Sequence, residues 1–217
     1  MNRATRIIVA VIGVLLGIAG MEHGFFEILQ GNKPTDGLII QAIGEEQNLW
    51  GTEEAFTLIP NFLITGIIAM AVGLAVIVWS VRFVQTERGP RVLGLLLIAL
   101  FLFGGGIAAQ IVFAPFLWLA AKRIHKPLTW WRKTLPEGLR DMLAKMWPYL
   151  LSVGSISLLI GLFIAIFGYV PGVDAGNDDR IFTICWLFVF GGGWGVFLLT
   201  YVAGFAYDIQ TTQRSNL

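Results

Sequence analysis

Apolar residues gather in five long stretches, 7–29, 60–81, 91–121, 149–170 and 181–207, with polar segments between them. A bilayer core about 30 Å thick takes about 20 helical residues. The first, second and fourth stretches each fit one crossing, and the fifth is long enough to tilt or project. Backbone groups in lipid must be satisfied within the segment, so such stretches predict helices. No segment of about 10 residues alternates polar and apolar positions as a barrel strand would. The chain's start imitates a signal peptide, with Arg3 and Arg6 before an apolar run and small residues. The apolar pattern continues past Gly20 through Phe25, Phe26, Ile28 and Leu29, which predicts an uncleaved first helix instead.

The third stretch decides the topology. Its 31 residues would make a helix of roughly 46 Å, too long for an upright span. Gly104-Gly105-Gly106 interrupts it and Pro115 follows. Cytoplasmic loops carry the excess of Lys and Arg. If the stretch crosses once, with the N-terminus inside, 6 of these residues fall inside and 9 outside, against the rule. If it folds back at the three glycines, 13 fall inside and only Lys33 and Arg180 outside. Ten of the 14 acids then lie outside, among them Glu22, Glu27, Asp36, Glu45, Glu46, Glu53 and Glu54. The expected fold is therefore an all-α polytopic bundle in one transmembrane domain, residues 1–217. It has four full crossings and a glycine-tipped helical hairpin at 91–121, with both termini in the cytoplasm. Trp79, Trp118, Trp130, Trp131, Trp147, Tyr149 and Tyr207 crowd the inner face of this arrangement, where such rings settle; Trp50 and Tyr169 mark the outer one.

Residues 127–147 are too polar to span. Thr134 reads as an N-cap, Pro136 as a first-turn residue and Glu137 as the reciprocal partner of a capping box. Leu139, Met142, Leu143, Met146 and Trp147 recur on one face, with Arg140, Asp141 and Lys145 opposite. That predicts an amphipathic helix on the inner leaflet, or packed on the bundle, separated from the fourth crossing by Pro148.

Composition agrees with a lipid environment. The 217-residue chain is 56% hydrophobic and 13% charged, with a mean hydropathy of +0.75. A soluble domain carries about 25% charged residues. The net charge of +1 gives no footprint for nucleic acid. The partners this composition implies are the bilayer, other membrane proteins or further copies of the chain. A single cysteine, Cys185, excludes an internal disulfide.

Helices in lipid associate where small residues let backbones approach. Ala10, Gly13, Gly17, Gly20 and Gly24 follow a 3, 4 rhythm along the first helix, a packing seam. Asn61, Thr65, Ala69 and Gly73 step along the second, and Gly154, Gly161 and Gly168 along the fourth. Continued by the same rhythm, the first seam reaches Glu27. His23, one turn earlier, shares that side, while Glu22 is rotated towards headgroups or water. A His and a Glu at i, i+4 can bind one cation or share a proton. Glu27, His23 and Glu22 are therefore the candidate ligand or proton site, with His23 and Glu27 the candidates for a divalent metal. A plain hydrogen bond between the two at a wet helix end is the competing explanation. Of the loop acids that could complete a metal shell, Glu53 and Glu54 are explained by Thr52 as the N-cap of a helix. Gln110 is read as lining a cavity or packing, and Gly191-Gly192-Gly193 as a local unwinding or close packing.

Two histidines, His23 and His125, near opposite faces cannot jointly ligate a haem, and no HExxH, GxSxG or Walker A pattern is present. The chain reads as a non-enzymatic membrane subunit or small transporter or channel-like element of the inner or plasma membrane. The alternatives are a membrane enzyme or metal-dependent factor with an outer Glu/His site, and an envelope factor binding lipid through 136–147. The EHGFFEILQGN segment (22–32), the Trp130-Trp131 pair and the GFAYD run (204–208) resemble a set of uncharacterised prokaryotic multi-pass membrane proteins. That resemblance implies the class and no mechanism.

Overall fold

The computed structural model describes residues 1–44, 53–174, 176 and 178–214. The chain is mostly helical, and four helical stretches, Arg3–Gln30, Phe62–Arg82, Glu137–Phe167 and Asp178–Gln213, are long and apolar enough to cross a membrane. Its contacts cluster into two compact units, residues 10–118 and residues 1–9 with 119–217.

In the first unit, α1 (Arg3–Gln30) runs unbroken through Gly20 and stops at Gly31, whose φ of 85° only glycine adopts freely. α2 (Phe62–Arg82) starts at Asn61, whose side chain accepts from Ile64 N and donates to Asn32. Asn61 thus caps α2 and is not part of a packing stripe. The buried stripe is Thr65, Gly66, Ala69, Gly73, Val76 and Ser80. α1 and α2 approach backbone to backbone. A methyl at Gly24 would lie 2.7 Å from the Gly66 carbonyl oxygen, and one at Gly17 would lie 2.7 Å from that of Gly73. Gly13 faces Ser80, and Gly20 faces Leu100 of α3 (Gly89–Leu102).

Beyond Leu102 the helix breaks over 103–106, then resumes as α4 (Ile107–Val112) and α5 (Ala114–Ala121). Gly104 and Gly106 have φ of 93° and 86°. Gly94 of α3 abuts the Trp118 indole of α5.

The segment after α1 holds a feature absent from the hydrophobic pattern, an antiparallel ribbon of β1 (Ile39–Ile43) and β2 (Glu53–Phe56). Ile40, Ala42 and Ala55 form its small core, with Phe62 packed on it. Glu53 and Glu54 are strand residues, contrary to the expected helical first turn. Only six residues lie between Glu53 and Pro60, too few for a stable helix, whereas β1 supplies a pairing edge. Thr52, Glu45, Glu46 and Trp50 lie outside the described residues. The ribbon is tied to its surroundings by Gln30 Nε2, which donates to the Gln41 and Ala42 carbonyls, and by Gly104 N, which donates to Phe56 O.

In the second unit, α6 (Thr129–Thr134) is followed by α7 (Glu137–Phe167), a single 31-residue helix. Two expectations fail here. Thr134 is the last residue of α6, its hydroxyl donating to Trp130 O, and α7 begins after Pro136 with no side-chain cap. Pro148 lies inside α7 rather than between two helices. The helix continues through it: proline removes only the N–H that would reach the Ala144 carbonyl, and the Ser152 hydroxyl adds a bond to the Pro148 carbonyl. Over 137–147 Arg140 and Ala144 are buried, while Leu139, Met142 and Met146 are exposed.

α7 packs through Gly154 against Phe197 and through Gly161 against Val189; Gly168 is its left-handed C-cap. The last long element consists of α8 (Asp178–Trp186), a π-helical segment Leu187–Gly195 and α9 (Val196–Arg214). The three glycines 191–193 therefore widen the helix without breaking it, and Gly192 abuts Ser157. Asp208 is buried and caps the N-terminus of α1, accepting from Ala4 N, Thr5 N and the Thr5 hydroxyl.

Candidate functional site

The last two turns of α1 carry Glu22, His23 and Glu27, and the burial of these three differs. Glu27 is completely buried, His23 is 7% exposed, and Glu22 is partly buried rather than turned out to water. The glycine spacing explains the first two. The face that brings Gly17 and Gly24 against α2 carries His23 and Glu27 inward beneath the break between α3 and α4.

His23 is held at both ring nitrogens. Nδ1 lies 2.9 Å from the Ala19 carbonyl oxygen. A carbonyl only accepts, so Nδ1 carries a proton and donates. Nε2 faces Glu53 Oε2 at 3.3 Å. Glu53 comes from β2 and is 47% exposed on its side chain. When Nε2 carries a proton as well, the ring is an imidazolium, and its hydrogen bond to Glu53 holds that carboxyl below its ordinary range, outweighing the opposing effect of partial burial.

Glu27 has no such partner. Among the described residues neither carboxylate oxygen receives a hydrogen bond, so it does not pair with His23. The break over 103–106 packs on both side chains. A side chain at Gly104 would overlap the Glu27 carboxyl, and one at Gly106 would lie 2.7 Å from His23 Nε2. Gln110 of α4 is buried beside this break. Its Nε2 reaches the Gly105 carbonyl at 3.4 Å, and among the described residues its Oε1 has no hydrogen-bond partner.

The structure thus brings Glu27 and His23 to one wall and adds Glu53, which sequence reasoning assigned to a helix cap. The signal for Glu53 was weak, since pairing across a loop leaves no periodicity in so short a strand. The glycine triplet was recognisable as a break, but its role as the wall over Glu27 was not. Among the described residues, no group of three or more His, Cys, Asp or Glu is placed to hold a metal ion. His125 is exposed in the basic segment 122–126. Compared with known proteins, the chain matches no family model, no curated protein and no solved structure. The arrangement itself carries the functional argument: one unpartnered buried carboxyl group, one imidazole anchored on its own helix, and one water-facing carboxylate.

Proposed function

We propose that the chain is a multi-pass protein of the inner or plasma membrane, a small transporter or channel-like element or a subunit of one, that handles a cation or proton at Glu27. Residues 91–121 form a hairpin tipped at the three glycines, and both termini and 122–147 lie in the cytoplasm. The contact of Gly94 with Trp118 supports the hairpin, because residues 24 positions apart meet across it. The Asn2 side chain donates to the carbonyls of Arg123 and Lys126, which supports a shared face for the N-terminus and the basic segment. Lipid is the partner this composition implies, and the exposed apolar side chains of α2 and α7 fit it.

One observation carries the site: Glu27 is buried, and among the described residues neither of its carboxyl oxygens has a hydrogen-bond partner. Burial of an ionisable group within an apolar helix is costly, and such groups mark ion or proton sites. Thermal melting of the purified chain in detergent tests it, with and without added cations and across pH. Glu27→Gln should alter the response more than Glu22→Gln, and His23→Gln should resemble Glu27→Gln. Equal behaviour of all three variants and the parent would reduce the segment to a helix end without a site.

A further inference from the structure

The proposed site still lacks a ligand, and the geometry around Glu27 narrows the choice. A metal cation needs several oxygen or nitrogen donors converging on one point. Among the described residues no such set of acids and histidines exists, and Gly104 closes directly on the carboxyl group. An anionic carboxylate would need donors, and among the described residues Glu27 has none. A neutral carboxylic acid needs the fewest partners of the three states.

The second observation is the way His23 is oriented. With Nδ1–H committed to Ala19 O, Nε2 is the one ring position free to exchange a proton, and it points to half-exposed Glu53. His23 and Glu27 are one turn apart on the same helix face.

We propose that the ligand is a proton, held on Glu27 and exchanged with water through Glu53 and His23. This rests on the reading of Glu27 as a site. A proton taken up from water by the Glu53 carboxylate passes to His23 Nε2, leaving Glu53 anionic and the ring an imidazolium. The imidazolium gives that proton to the Glu27 carboxylate, through a water molecule or a swing of the Glu27 side chain. The ring returns to its neutral Nδ1–H form, and no electrons change hands. The titratable groups that bear on this exchange are Glu22, His23 and Glu27 of α1 and Glu53 of β2. Among the described residues, Gly66, Ala69 and Met70 of α2 and the glycines of the 103–106 break lie against this end of α1, and none of these titrates.

Infrared spectroscopy of the full chain in nanodiscs tests the proposal. At neutral pH the parent should show a protonated-carboxyl stretch that Glu27→Gln removes and that added sodium, magnesium or zinc leaves unchanged. In heavy water that stretch should shift, and the shift should slow by about tenfold or more in Glu53→Gln and in His23→Gln. Because His23→Gln removes an anchored ring, Glu53→Gln is the variant that decides the path. A carboxylate stretch in place of the acid, or an acid stretch lost on adding one of these ions, would overturn the proton assignment and leave the cation site standing. Exchange at the parent rate in Glu53→Gln would overturn the path. Melting of Glu27→Gln and His23→Gln indistinguishable from the parent would instead remove the underlying site.

Discussion

Asp208 closes the N-terminus of the first helix: its Oδ2 accepts from the Thr5 amide at 2.9 Å and from the Thr5 hydroxyl at 2.6 Å, across 203 positions of sequence. A helix start leaves amides without partners and carries partial positive charge. A carboxylate there answers both. Its other oxygen takes the Ala4 amide. Hydrogen bonds to a charged group contribute about 1.5–3 kcal/mol each at most, and the three share one carboxylate. Asp208→Ala should therefore lower stability by about 2–4 kcal/mol, with Asp208→Asn losing less because one acceptor survives. Denaturant titration in a fixed detergent measures it; equal stability of Asp208→Ala and the parent would contradict the cap.

The glycine seam makes a second prediction. Gly24 meets the Gly66 carbonyl and Ala69, and Phe25 beside it is exposed. Gly24→Leu should drive α1 and α2 apart and cost well over about 1 kcal/mol, since overpacking of a filled site typically costs about 1–3. Phe25→Ala should be close to neutral. If both melt alike, the two helices do not depend on this approach.

Much of this framework was legible in the sequence because long apolar stretches leave few solutions besides helices. Apolar length located α1, α2 and the long span ending in α9, and the 3, 4 glycine rhythm pointed to the face that meets α2. Local signals failed where tertiary contacts compete with them. Pro148 reads as a boundary, yet α7 continues through it, since a proline removes a single N–H from the ladder and the turns beyond it are packed through Gly154 and Gly161. Thr134 reads as an N-cap but ends α6. The Asp208 cap has no sequence signature, because nothing in a linear pattern reveals that α9 ends beside residue 4. Helical spacing pointed to the packed face of α1 that carries His23 and Glu27, and both are buried there. Glu53 reaches them only through the β ribbon, whose register is set by pairing and not by periodicity.

Gly104 and Gly106 combine positive φ with close contact, so both should resist substitution. Gly104→Ala meets a left-handed backbone cost of about 1–2 kcal/mol, together with overlap on the Glu27 carboxyl. In a Glu27→Ala background the overlap disappears and the backbone cost remains. The double variant should thus lose less than the sum of the single losses, as residues in contact do. Strict additivity in thermal melts would mean that the break over 103–106 does not close on Glu27.

The Glu53–His23 pair sets a pH dependence with a defined sign. The Glu53 carboxyl is held below its ordinary value of 4.5 by the hydrogen bond from His23. Its contribution to stability is thus complete above that unfolded value and is lost as pH falls through the lower folded one. The parent should lose stability below about pH 4.5 more steeply than Glu53→Gln, whose amide does not titrate. Because Glu53 is half-exposed, water screens the pair and the difference should be small and weaken with salt. Melting curves at a series of acidic pH values, at low and high salt, check this. Parallel curves for the two proteins would show that the pair is not formed in solution.

The topology can be tested at one position. Single passage of 91–121 would put the basic run from Lys122 to Lys145 on the outer face, with 9 of the 15 Lys and Arg residues there. A fold back at the glycines leaves 13 inside, the bias that insertion favours. Gly94 against Trp118, and Asn2 on the carbonyls of Arg123 and Lys126, are contacts that each support the second arrangement by geometry alone. A reporter active only in the cytoplasm, fused after Lys133, should be active, and one active only outside should be silent. Fusions after Lys33 should give the opposite pair of results. The Lys33 pair checks insertion of α1 and so separates a misinserted fusion from a wrong topology. External activity after Lys133, with external activity retained after Lys33, would mean that 91–121 crosses once, and the shared face for the N-terminus and the basic segment would fall with the hairpin.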